Sequence, residues 1–134
     1  MTGQGLAASE RIRRRPEFER VYSAGARVHG RFMTVFVLPN DGPAARLGVA
    51  ATRKIGRATD RNRAKRLARE VFRRQKVVAR LDIVIVPRRE MLDAPFANLE
   101  SDYQAALERC ARRHHSGNRR PRRSEPRPRV DPRV

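Results

Sequence analysis

Ten basic residues and only two acids occupy the stretch from Arg53 to Arg74 of this 134-residue chain. The chemistry they offer is the gripping of anions. Eight of the ten are arginine. A guanidinium fork holds two phosphate oxygens at once and stacks on a base, which the point charge of an ammonium does not. Acids that could neutralise the row are nearly absent, since only Asp60 and Glu70 interrupt it. Asn62 both donates and accepts, which suits a base edge or a 2′-hydroxyl. Gly56 permits close backbone approach, and the helix N-terminus behind it favours phosphate. A row of charges is often only a solvated face. Here the shortage of acids and the excess of arginine point to a polyanion, RNA or DNA.

The element that must aim these groups is a helix from about Asp60 to Lys76, with Thr59 or Asp60 as its N-cap. Ala64, Leu67, Ala68, Val71 and Phe72 recur at helical spacing and make one buried stripe. At 100° per residue, Asn62, Arg66, Arg69 and Arg73 fall on the opposite side. Arg61 and Lys65 flank one edge of the stripe, and Arg63 and Arg74 the other. Burying the stripe therefore turns the basic row outward. Two of the five stripe residues are alanine, too small for deep insertion into lipid, so a membrane-surface helix is the weaker reading.

The whole chain shares this bias. It carries 32 Lys and Arg against 14 Asp and Glu, a net charge of +18. Such an excess repels itself unless a polyanion supplies counter-charge. No run of about 18 apolar residues is present to span a bilayer, and the first residues lack a signal-peptide pattern. Cys110 has no partner for an internal disulfide, which agrees with a reducing, cytoplasmic setting. Residues 113–134 are rich in Arg and Pro and almost free of apolar residues, so a disordered tail is expected. Residues 1–9 are expected to fray. One domain over residues 10–112 remains.

Within it, Arg15-Pro16-Glu17-Phe18 starts a short helix that ends at Gly25. Phe18, Val21 and Tyr22 share one of its faces. Residues 31–38 form a strand in which Phe32, Thr34, Phe36 and Leu38 point one way and Met33, Val35 and Val37 the other. Val28-His29 suits a short edge strand. After a turn over Pro39–Pro43, Arg46–Thr52 reads as the next antiparallel strand. Leu81–Val86 is a nearly all-apolar strand suited to a covered position. A last helix runs from about Pro95 to Arg113. Helices on one sheet make an α+β domain.

These residues resemble a known family. Thr52-Arg53-Lys54-Ile55-Gly56-Arg57-Ala58, followed by Arg61-Asn62-Arg63-Ala64-Lys65-Arg66-Leu67-Ala68-Arg69-Glu70, is similar to the signature of the bacterial ribonuclease P protein family. Phe18, Val21, Tyr22 and Gly25, the strand from Gly30 to Leu38, Leu47-Gly48-Val49 and Asp82–Val86 fit as well. The resemblance covers about residues 11–110. It implies an αβββαβα sandwich-type domain like the ribosomal protein S5 domain 2-like fold, with a left-handed βαβ crossover through the arginine-rich helix. It implies a ribonucleoprotein that removes the 5′ leader from precursor tRNA, in which a catalytic RNA with bound Mg²⁺ carries the chemistry. The protein then needs no catalytic residue, metal of its own or obligate protein partner. The resemblance places Arg53, Lys54, Arg57, Arg61, Asn62, Arg63, Lys65, Arg66 and Arg69 on the catalytic-RNA-binding surface. It places Arg11, Arg15, Phe18, Tyr22, Arg31 and Phe36 at a cleft for the 5′ leader.

Aromatics at this spacing are ordinarily core, and Phe18 and Phe36 suit either role. Tyr22 is expected to be exposed, because its hydroxyl wants a partner or water. His114-His115 has no cysteine at zinc spacing, and His29 reads as a surface residue. No nucleophilic triad, paired-carboxylate site or phosphate-cradling glycine loop is visible. Two other readings stay open. A ribosomal-type or assembly protein would use the same helix to grip structured RNA. A protein-only nuclease would need clustered carboxylates, and the acids here are scattered.

Overall fold

The protein is described by a computed structural model covering residues 10–75 and 80–115, with the side chains of residues 113–115 excepted. The element order is α1 (Arg15–Ala24), β1 (Ala26–His29), β2 (Met33–Pro39), β3 (Arg46–Val49), α2 (Ala58–Arg74), β4 (Leu81–Pro87) and α3 (Phe96–His115). Short 3-10 helices span Arg53–Ile55 and Arg89–Asp93. The expected frayed start lies outside the described residues, and so does the expected tail beyond His115.

The four strands form one sheet in the order β1-β2-β4-β3. β1 pairs antiparallel with β2, and β2 antiparallel with β4. β3 runs opposite to β2, as expected, but does not neighbour it. β4 lies between them, and β3 pairs with β4 in parallel, from Arg46↔Asp82 to Val49↔Ile85. The physical reason is in the residues. β4 is apolar on both faces from Ile83 to Val86 and takes the covered central place, while the shorter, glycine-bearing β3 goes to the edge. That edge is capped by the segment before α1, where Arg11 bridges Leu47 and the Ile12 N–H donates to the Leu47 carbonyl at 2.9 Å.

Alternation along the strands feeds two cores. Met33, Val35, Val37, Leu47, Ile83 and Ile85 face α2 and α3, and meet Ala64, Ala68, Val71, Phe72, Leu99 and Tyr103. Phe36, Val84 and Ala50 face α1 and meet Ile12, Phe18, Val21 and Tyr22. The molecule is thus α1, then the sheet, then α2 with α3.

Several boundaries differ from the sequence reading by a few residues, and two of them shape the basic segment. β3 stops at Val49, after which the chain turns into the 3-10 helix at Arg53. α2 begins at Ala58, with Arg57 as the cap residue. Gly56 adopts φ 142°, which lets the chain enter the helix early. Asp60 then acts from inside the first turn, its carboxylate accepting the Arg57 N–H at 3.1 Å.

Candidate nucleic-acid interface

The α2 stripe packs as its spacing predicts, with Ala64, Ala68, Val71 and Phe72 buried and Leu67 half-buried. Arg57, Asn62, Arg63 and Arg66 are exposed, and so are Arg53 and Lys54 on the 3-10 helix before them. These six form the open part of the basic surface.

The other three residues assigned to that surface are not free in the same way. Lys65 is buried, at 9% exposure. Small Ala64 and Ala68 let α2 approach its neighbours closely, and the Lys65 stem is covered with them. Arg61 turns back on its own helix start, donating from Nη1 to the Gly56 carbonyl at 3.0 Å, while its buried Nε has no hydrogen-bond partner. Arg69 is half-buried. Burial and the charge of Arg11 both disfavour its protonated form and lower it from the usual guanidinium range. Arg11 comes from the segment capping β3, and its Nε is also buried without a partner. The two candidate surfaces therefore approach each other at Arg11 and Arg69.

On the α1 side, the three aromatics assigned to the cleft come together. Tyr22 lies 6.3 Å from Phe18 and 4.9 Å from Phe36 between ring centroids, the latter pair edge to face. All three are buried. Tyr22, expected to be exposed, retains only 4% exposure, and its hydroxyl is buried without a hydrogen-bond partner. Burial, aided by the charge of Glu19, pushes that phenol well above its usual range. The reason is geometric: Tyr22 is at i+4 from Phe18 and shares the face that closes on the sheet. Arg15 and Arg31 are exposed, and the Arg31 guanidinium sits 5.3 Å from the centre of the Phe32 ring, which belongs to the core on the α2 and α3 face. The guanidinium of Arg27, which sequence reasoning missed, sits 5.8 Å from the Phe36 ring centre. Its signal was the pairing of position 27 with position 36, legible only once the β1–β2 register is known.

Arg31 is held by its backbone. The Asp102 carboxylate of α3 accepts the N–H of Arg31 at 3.0 Å and of Phe32 at 2.9 Å. Gly30 must be glycine there, because a Cβ would stand 2.6 Å from Asp102 Oδ2. Two further exposed cations join this end of the sheet. The Arg88 N–H donates to the Phe32 carbonyl at 2.9 Å, and Arg89 Nη1 donates to the Ile55 carbonyl at 3.2 Å. Arg88 and Arg89 thereby link the Arg31 turn to the Arg53–Ile55 segment. The basic pair after Pro87 was visible in the sequence, but not its position.

Among the described residues, no group of three His, Cys, Asp or Glu side chains could hold a metal ion. No helix among them is long and apolar enough to cross a membrane. Cys110 is buried in the larger core, with its thiol near the carbonyls of Ala26 and Val35.

Comparison with known proteins identifies the family. The family model for ribonuclease P matches residues 6–111, which include every element but the end of α3. The chain belongs to the ribonuclease P protein family. The ribonuclease P protein component of Desulfovibrio desulfuricans is 42% identical over 108 residues, covering 76% of this chain and 83% of that protein. That of Citrifermentans bemidjiense is 31% identical over 117 residues, covering 85% of this chain and 99% of its own. The solved ribonuclease P protein of Thermotoga maritima superposes with a TM-score of 0.64 at 31% identity, covering 77% of this chain and 96% of that one. The ribonuclease P family reading and the α+β fold both hold, and the family ties the chain to tRNA processing.

Proposed function

We propose that this chain is the protein subunit of a ribonucleoprotein that removes the 5′ leader from precursor tRNA, with a catalytic RNA performing the hydrolysis. The observation that carries the reading is the exposed row Arg57, Asn62, Arg63 and Arg66 on α2, continued by Arg53 and Lys54. These groups bind phosphate and base edges and carry no catalytic step in this reading. Their role is to hold the catalytic RNA and offset phosphate repulsion. Mg²⁺ belongs with the RNA in this reading, since the described protein residues offer no cluster of carboxylates for it.

The leader is assigned to the α1 side of the sheet. With Phe18, Tyr22 and Phe36 packed as a floor, a single strand first meets Arg27 over Phe36, and Arg15 of α1 and Arg31 of the turn before β2 are the further cations assigned to it. Arg11 joins this tract to α2. Cations that grip the phosphate backbone read no base and so tolerate any sequence. Tolerance of that kind suits a processing enzyme with many substrates.

The test is cleavage of precursor tRNA with and without the cognate RNA. The protein alone should be inactive and should raise cleavage by the RNA at low Mg²⁺. Turnover by RNA-free protein would overturn the division of labour. Absence of any stimulation would favour a ribosomal-type or assembly role for the same basic helix.

A further inference from the structure

We infer that Arg46 and Asp82 are positioning residues for leader recognition, because they set the stance of α1 over the sheet; the inference rests on the assignment of the leader to the α1 side. Asp82 is 1% exposed, an unusual place for a carboxylate. It stands directly opposite Arg46 in the parallel β3–β4 pair. Arg46 grips it with both ends of its fork, Nε to Oδ1 at 2.8 Å and Nη2 to Oδ2 at 2.8 Å. Asn40 Nδ2 adds a third donor at 2.8 Å.

The remaining arm of the fork leaves the sheet. Arg46 Nη1 donates to Glu17 Oε2 of α1 at 3.1 Å. One turn further along α1, Arg20 Nη2 reaches Asp82 Oδ2 at 3.6 Å. Two positions of α1, on either side of Phe18, are thus tied to one buried pair. Glu17 also accepts the N–H groups of Arg13 and Arg14 through Oε1, at 3.4 and 3.3 Å, and so joins the capping segment to the same network.

Apolar contact alone does not fix such a helix. α1 is ten residues long and is the one helix on its face of the sheet among the described residues. Hydrophobic burial is non-directional, so a helix held only by it is free to roll or slide. Charge-assisted forks are directional. Replacing a buried ion pair by apolar residues often costs no stability, so its retention here is better explained by geometry than by strength. What it sets is where Phe18 and Tyr22 stand over Gly48 and Phe36, and hence the width of the leader tract.

Asp82→Asn is the obvious probe but removes the buried charge itself. Glu17→Gln is cleaner: its amide oxygen still accepts the Arg13 and Arg14 N–H groups, while the charge pair with Arg46 is lost. The holoenzyme would be assembled with each protein and its affinity for precursor tRNAs of graded leader length measured. For Glu17→Gln the expected result is about two- to five-fold weaker binding of long-leader precursors, the scale of one partly exposed ion pair. Binding of leaderless tRNA and of the catalytic RNA should not change, and Glu17→Asp should recover part of the loss. Unchanged leader dependence in Glu17→Gln would overturn the inference, as would an equal loss on leaderless tRNA. A wild-type holoenzyme indifferent to leader length would instead overturn the cleft assignment, and the inference with it.

Discussion

The ring of Phe18 rests on the bare backbone of Gly48: a β-carbon there would stand 2.8 Å from both Cε1 and Cζ of Phe18 and 3.1 Å from Cβ of Ile12. One missing methyl group therefore seats the first helix, the edge strand and the capping segment together. Gly48→Ala should overpack this junction and destabilise the fold by about 1–3 kcal/mol. Urea unfolding at neutral pH measures it. An unchanged midpoint would mean that Phe18 has room to move.

Arg61 and Arg66 are both assigned to the RNA-binding surface, and their surroundings differ. Arg66 is exposed, so Arg66→Ala should leave stability within about 0.5 kcal/mol of wild type. It should weaken assembly with the catalytic RNA and lower the log–log salt slope by roughly 0.7–0.9. Arg61 holds the Gly56 carbonyl, so Arg61→Ala should lose RNA affinity and also about 1 kcal/mol of stability. Equal stability of the two variants would show that the Arg61 bond contributes nothing.

Acid should undo the Arg46–Asp82 network. Burial by itself would raise the Asp82 carboxyl, but hydrogen bonds from Arg46 and Asn40 and the charges of Arg46 and Arg20 outweigh it and hold Asp82 below its ordinary 3.8. Glu17 likewise stands below 4.5: burial opposes, and the bonds from Arg46, Arg14 and Arg13 prevail. A carboxylate with a depressed folded value contributes stability above its unfolded value and loses it as pH falls through the folded one. Stability from this network should thus be full at about pH 6 and decline below about pH 4. Asp82→Asn should cost about 3 kcal/mol at neutral pH and flatten that acid limb. Urea midpoints across pH would reveal it, and an acid limb as steep as wild type in Asp82→Asn would assign the loss to other carboxylates.

Asp102 is a third carboxylate that works through backbone, after Asp60 and Glu17. Asp102→Ala leaves two N–H groups of the Arg31 turn without acceptors and should cost about 1–3 kcal/mol. Asp102→Asn keeps one acceptor oxygen and should fall between Ala and wild type. Hydrogen exchange at Arg31 and Phe32 is the direct readout, and protection that survives in Asp102→Ala would sink the assignment.

The helices and strands were legible because their periods are local. Ala64, Ala68, Val71 and Phe72 announce a buried face by spacing alone, and residues 33–37 alternate as a strand must. The position of β4 between β2 and β3 was not legible from pattern, because pairing joins residues far apart in sequence. The same limit hid Arg27 beside Phe36 and Arg89 beside Ile55. Tyr22 misled for another reason: the cost of an unpaired hydroxyl was weighed above the i+4 geometry that buries its ring. Lys65 lies deeper than its place at the edge of the stripe suggests, because an angle on a helical wheel does not say how closely two alanines let the helix approach.

The strand order has a consequence for the chain as it is made. A ribosome releases β1 and β2 early, and they can pair at once. β3 follows but has no lasting neighbour, because its partner Asp82 lies 36 residues beyond Arg46. Until β4 emerges, the inner edge of β2 and β3 both wait open. What emerges during that wait is α2, the arginine-rich helix. The open strand edges thus share that interval with a strongly basic helix, and like-charge repulsion between two such chains opposes edge-to-edge pairing.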